Sequence, residues 1–171
     1  MMKFIWAMLV AIFIVCMWFA MPLFAATLDI TGNVEAKCII QADRAGVYGN
    51  PTADKLSTAT ADGGVQPIVR YDVAIADAYI ARISYPNAFS TSPALTDTVN
   101  WSGSVSVSSV SDAAMSGYDT AKVEYNNVTE FDLTEAGSTW FKVSSAATYG
   151  VGRAFAGGTY RAVVNAECIA K

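Results

Sequence analysis

Residues 69–85 read VRYDVAIADAYIARISY, and their spacing decides the fold class. Val69, Tyr71, Val73 and Ile75 share one side of an extended chain, with Arg70 and Asp72 on the other. After a short interruption Tyr79, Ala81, Ile83 and Tyr85 repeat the pattern against Arg82 and Ser84. Successive side chains of a strand point to opposite faces, so a period of two predicts two strands with one apolar face each. Outward from this stretch the period recurs. Leu28, Ile30, Gly32, Val34, Ala36, Cys38 and Ile40 oppose Asp29, Thr31, Asn33, Glu35 and Lys37. Trp101, Gly103, Val105 and Val107 alternate with serines, Ala121, Val123 and Tyr125 oppose Lys122 and Glu124, and Phe141 and Val143 flank Lys142. Tyr160, Ala162, Val164, Ala166 and Cys168 oppose Arg161, Asn165 and Glu167.

Turn-rich pieces such as Gly49-Asn50-Pro51, Asp62-Gly63-Gly64 and Gly157-Gly158 separate these runs. No long stretch carries a helical period. The reading is an all-β chain of about seven or eight short antiparallel strands in two face-to-face sheets, with a closed barrel as the alternative. Segment 41–66, rich in Ala, Asp, Gly and Thr, reads as a long loop with at most one short strand.

Residues 1–26 contain only two residues outside the apolar class, Lys3 and Pro22. A positive start, an apolar run and the small pair Ala25-Ala26 predict a secretory signal cleaved after Ala25 or Ala26. The alternative is an uncleaved anchor, since Phe4 to Met21 approaches the length of a membrane span. Either way the remainder, residues 27–171, is expected to leave the cytoplasm. The chain has 171 residues, 11 Lys+Arg against 15 Asp+Glu, and no histidine. Without histidine there is no Ser-His-Asp or Cys-His machinery and no His-ligated zinc. The acidic balance argues against nucleic acid as a partner, which needs a basic surface. Beyond the leader only Cys38 and Cys168 remain. In an oxidising compartment such a pair reads as a disulfide; two free buried thiols are the alternative.

Paired carboxylates are the remaining catalytic route, with Asp112 and Asp119, or Glu130, Asp132 and Glu135, as candidates. Their places beside turns and on polar strand faces point to solvated acids, so the expectation is no enzyme and no cofactor. Asn100-Trp101-Ser102 and Asn127-Val128-Thr129 match the glycosylation sequon, which matters only in a eukaryotic secretory pathway. Tyr71, Tyr79, Tyr85, Tyr118, Tyr125, Tyr149 and Tyr160 could in part form a sugar-stacking surface, but such residues more often pack in sheets with a wet hydroxyl.

The segment after the predicted cleavage site, Thr27 to Glu35, carries apolar residues at alternate positions with Gly32 among them. This suits a strand filling a groove in a sheet, and equally an ordinary first strand of its own domain. Together with the leader, the Ser/Thr/Ala/Val-rich body and the ending Gly157-Gly158-Thr159-Tyr160-Arg161-Ala162-Val163-Val164, it resembles a fimbrial (pilus) subunit of the chaperone–usher type. The resemblance implies an immunoglobulin-like sandwich lacking its last strand over 37–171, and a donor segment over 27–36. It implies Leu28, Ile30, Gly32 and Val34 as donor-strand positions and Tyr160, Ala162 and Val164 as borders of the acceptor groove. The implied partners are further copies or related pilus subunits, a periplasmic chaperone, an outer-membrane usher and a host-surface receptor. The implied place is an extracellular fimbria reached through the periplasm. The alternative is a monomeric secreted or periplasmic binding module, such as a carbohydrate-binding adhesin. A link from Cys38 to Cys168 departs from the family's usual pairing within the first part of the fold.

Overall fold

The computed structural model describes residue 35 and residues 37–171. The predicted leader and the predicted donor positions Leu28, Ile30, Gly32 and Val34 lie outside these. The described chain is all-β and antiparallel. Its strands are β1 (Cys38–Arg44), β2 (Gly49–Thr52), β3 (Lys55–Ser57), β4 (Ile68–Val73), β5 (Tyr79–Ser84) and β6 (Phe89–Thr91). They continue with β7 (Val99–Val110), β8 (Val123–Tyr125), β9 (Val128–Leu133), β10 (Gly137–Tyr149), β11 (Arg161–Ala162) and β12 (Asn165–Ala170). Seven of them have six residues or more. The other five are short additions at edges and ends. Among the described residues no helix is long and apolar enough to cross a membrane.

One sheet is built around β10, the longest strand. Its first half pairs with β4, which in turn pairs with β1; its second half pairs with β3, and β3 with β2. Along its other side it pairs with β7 from Thr139↔Val110 to Tyr149↔Val99. The second sheet has the order β12-β5-β9-β8, and β6 with β11 makes a two-stranded piece. The long strands alternate as their sequences require. In β10 every second residue from Thr139 to Tyr149 is buried, and in β4 Val69, Tyr71 and Val73 are.

The inner residues of both larger sheets share one core. Tyr71, Phe141, Val143 and Val105 come from the first sheet, and Ala81, Ile83, Phe131 and Leu133 from the second. The rings of Phe131 and Phe141 meet across it with centroids 4.4 Å apart. The Tyr71 hydroxyl crosses as well, donating to the carbonyls of Arg82 at 3.2 Å and Glu167 at 3.0 Å. Burial pushes the Tyr71 pKa far up. The neutral donor it favours contributes stability that is complete below the ordinary tyrosine pKa and is lost as pH rises past it. Gly103 serves close packing: a Cβ there would lie 2.6 Å from the Tyr85 ring and from the Ser144 carbonyl.

Several sequence expectations are corrected. Segment 41–66 is not a long loop, since β1 runs to Arg44 and β2 and β3 form a hairpin. Ile75 lies past the end of β4 and is 40% exposed. Ala121 belongs to a single helical turn, Tyr118–Ala121, and not to a strand. The last strand is broken: Val163 turns outward, β11 departs to pair with β6, and β12 pairs with β5.

Candidate functional site

Edges decide what a sheet can do, because an unpaired strand presents free N–H and C=O groups. On one side of the molecule the long edge is partly capped by side chains and the other edge is short. Along β7 the Val107 N–H is taken by Asp119 Oδ1 at 2.9 Å, and the Val105 carbonyl accepts from Lys122 Nζ at 3.0 Å. The second sheet ends there in β8, only three residues long. Asp119→Ala is expected to lower the unfolding free energy by about 1–2 kcal/mol, the cost of a part-buried N–H left without its acceptor. It should also increase self-association, read by light scattering.

The other side is different. Here β1 pairs only with β4, and β12 only with β5, among the described residues. The disulfide between Cys38 and Cys168 joins these two strands, with Cα atoms 6.3 Å apart. Register places Cys38, Ile40 and Ala42 opposite Val73, Tyr71 and Val69, hence on the core face. Their cover thins along the strand: Cys38 and Ile40 are half-buried and Ala42 is exposed. Opposite them Val164, Ala166 and Cys168 also face the core and are only half-buried. Lys171 N–H donates to Ala78 O at 3.1 Å, one step beyond the pair Ala170↔Tyr79. Antiparallel hydrogen bonds alternate, so Ala166, Cys168 and Ala170 direct their backbone groups to the outer side of β12.

A trough follows this side. A cavity of about 230 Å³ has Ala42, Pro67, Ser145 and Val164 in its wall. A second, of about 540 Å³, is walled by Val47, Leu56, Gly158, Tyr160 and Arg161. Ala45, Gly46, Tyr48 and Ala162 belong to both, so the two lie side by side. The three residues read from the sequence as groove borders, Tyr160, Ala162 and Val164, thus all line this trough. Its facing wall, Ala42 to Tyr48, escaped the sequence reading because the period of two fades after Ile40. Tyr48 is held by a hydrogen bond between its hydroxyl and Ser145 Oγ at 3.0 Å, and burial raises its pKa.

Beside the larger cavity stands an aromatic group in which Tyr149 and Tyr160, named from the sequence, are joined by Phe89, Trp101 and Phe155. Phe89 lies edge-on to Trp101 at 4.7 Å and to Tyr160 at 5.0 Å, and Phe155 stacks on Tyr149 at 5.2 Å. These residues are far apart in the chain, so no local pattern announces their grouping.

Four of the five acidic candidates for catalysis have separate structural tasks. Asp112 Oδ1 accepts from Ala114 N–H at 2.9 Å, and Asp119 holds the β7 edge. Asp132 pairs with Lys171, and Glu130 pairs with Arg82 at 2.7 Å. The hydrogen bond from Tyr125, then that from Arg82, holds the Glu130 carboxyl below its usual range. Its contribution is therefore complete above the ordinary carboxylate pKa and lost as pH falls through the lowered value. Among the described residues no group of three or more His, Cys, Asp or Glu side chains is placed to hold a metal. Four of the other candidate tyrosines also have engaged hydroxyls, Tyr85 with Asn126 O, Tyr125 with Glu130, Tyr149 with Thr96 N–H and Tyr160 with Ala156 O. Of the sequon asparagines, Asn127 uses its side chain to donate to Tyr85 O at 2.7 Å, while Asn100 is exposed on β7. No protein-family model, no curated protein and no solved structure matches this chain.

Proposed function

We propose that this protein is a structural subunit of an extracellular fibre, a pilin-like unit that polymerises by accepting a strand from a neighbouring copy. The observation that carries the reading is the outer edge of β12, unpaired among the described residues, beside a trough whose β1 wall is only thinly covered by them. Strand order supports it. The path β1-β4-β10-β7 and the pair β12-β5 correspond to the ABED and FC strands of an immunoglobulin-type sandwich. In that fold a further strand pairs with the outer side of the strand in the β12 position. A strand supplied from outside would gain main-chain hydrogen bonds to Ala166, Cys168 and Ala170 and would cover Ile40 and Ala42.

Residues 27–35 have the pattern for that role, with Leu28, Ile30, Gly32 and Val34 on one side. Donation from copy to copy is head-to-tail and does not close on itself, so it grows a filament. On this reading the chain is exported through the periplasm, where a chaperone occupies the trough until an outer-membrane usher exchanges it for the next subunit. Adhesion to a host-surface receptor is then a property of the fibre. The test is deletion of residues 27–35. The full protein is expected to form SDS-resistant polymers and the deletion variant to remain monomeric. Polymers that persist after deletion would overturn donor-strand assembly through this segment. A wild-type chain that is monomeric under every assembly condition would favour a self-contained binding module.

A further inference from the structure

Strand donation between copies dictates which surfaces of two neighbours meet. In each copy Lys37 stands at the end of the body where β12 finishes, since the adjacent Cys38 is bonded to Cys168. The two cavities lie toward the opposite end, walled by 45–48 after β1 and by residues from Gly158 to Val164 before β12. A donated segment can lie along β12 in either direction. With its Glu35 end at Ala170, like ends of the two bodies would face, and reciprocal exchange would close a dimer. A fibre needs unlike ends to meet, so the Glu35 end comes to the larger cavity. The lengths agree. Segment 27–35 has nine residues, as does the wall from Ala170 back to Ala162, which lines that cavity.

A second element travels with the segment. Ala74 N–H donates to Lys37 O at 3.0 Å, which holds the turn 74–77 beside the start of the body. Two residues of extended chain and one strand spacing put it within about 12 Å of Glu35. In this turn Ile75 is 40% exposed, and Asp77 is largely exposed. Lys171 is shared between Asp77 and Asp132, so the turn stays acidic. The larger cavity is its counterpart. About 540 Å³ in volume, it is walled by Leu56, Tyr160, the exposed Val47 and the exposed Arg161. Among the described residues no ion pair engages Arg161.

We propose that the larger cavity is the docking site for the 74–77 turn of the donating copy. Ile75 is seated against Val47, Leu56 and Tyr160, and Asp77 pairs with Arg161. This rests on the strand-acceptor reading above and adds a second contact between the same two copies. The apolar contact covers surface that both ends leave wet in the monomer. The charge pair sits at the rim, where it steers the approach of the next subunit.

The experiment follows polymer growth of purified full chains by light scattering at low salt. Arg161→Glu alone and Asp77→Arg alone each set like charges against each other and are expected to slow growth about tenfold. An equimolar mixture of the two variants should grow at close to the wild-type rate, because every joint between unlike copies again carries opposite charges. A variant slowed by damage to its own fold would not be rescued this way. Single variants that grow like wild type, or a mixture no faster than either, would overturn the docking site. Ile75→Ser should slow growth about fivefold through lost apolar burial; an unchanged rate would overturn the seating of Ile75. Binding of a labelled 27–35 peptide, which lacks the turn, is read by fluorescence anisotropy and should be equal in all variants. Peptide binding without the charge effects leaves the strand acceptor standing. A wild-type chain that neither binds the peptide nor polymerises overturns both.

Discussion

Replacing both Cys38 and Cys168 by serine is expected to lower the unfolding free energy by about 5 kcal/mol. The bond closes a loop of 130 residues in sequence, and a cross-link over that length removes much of the freedom of the unfolded chain. The total stability of a domain this size is about 5–15 kcal/mol, so the loss would consume a large part of it. The link joins the first and last described strands, which belong to different sheets and share no backbone hydrogen bonds. Nothing in either ladder replaces it. Guanidinium titration of the oxidised protein and the serine variant checks the effect; a difference below about 1 kcal/mol would contradict the assignment of the disulfide as the main staple.

Phe141→Ala is expected to cost about 3–5 kcal/mol. Phe141 is fully buried at the centre of β10. Its ring meets Tyr71 edge-on at 5.6 Å and Phe131 at 4.4 Å, so it touches both sheets. Relaxation into the void is restricted because β10 is flanked by strands on both sides at this point, with Phe141 opposite Val69 of β4 and Val107 of β7. The neighbouring Lys142→Ala points the other way and serves as a control expected to stay within about 0.5 kcal/mol. Equal effects at the two positions, read by denaturant titration, would mean that the faces of β10 are assigned wrongly.

The parts of this structure that the sequence announces are those governed by a local period. Val69, Tyr71 and Val73 alternate because one side of β4 packs on the core, and the residues between them meet solvent. The cysteine pair was legible by count alone. Where other forces shape the chain, the period is silent or misleading. Gly49-Asn50-Pro51 reads as a turn, yet it begins β2: a Cβ on Gly49 would lie 2.0 Å from the Asp62 carbonyl, and Asn50 donates to Thr52 O and Lys55 O to brace the hairpin. Val123 and Tyr125 alternate as expected, but in β8 they are 57% and 41% exposed. Period two marks a strand without saying which face is covered. Of the trough, the wall made by Tyr160, Ala162 and Val164 was readable from the strand pattern, whereas the wall from Ala42 to Tyr48 depends on contacts distant in sequence.

The central claim, that β12 presents an open edge filled only on assembly, is tested most directly by amide hydrogen exchange resolved along that strand. In the isolated monomer the N–H groups of Ala166, Cys168 and Ala170 are expected to exchange quickly, while those of Glu167 and Ile169, bonded to β5, exchange slowly. In polymers all five should be slow. Slow exchange at Ala166, Cys168 and Ala170 in the monomer would mean that the edge is already covered, and would contradict the account.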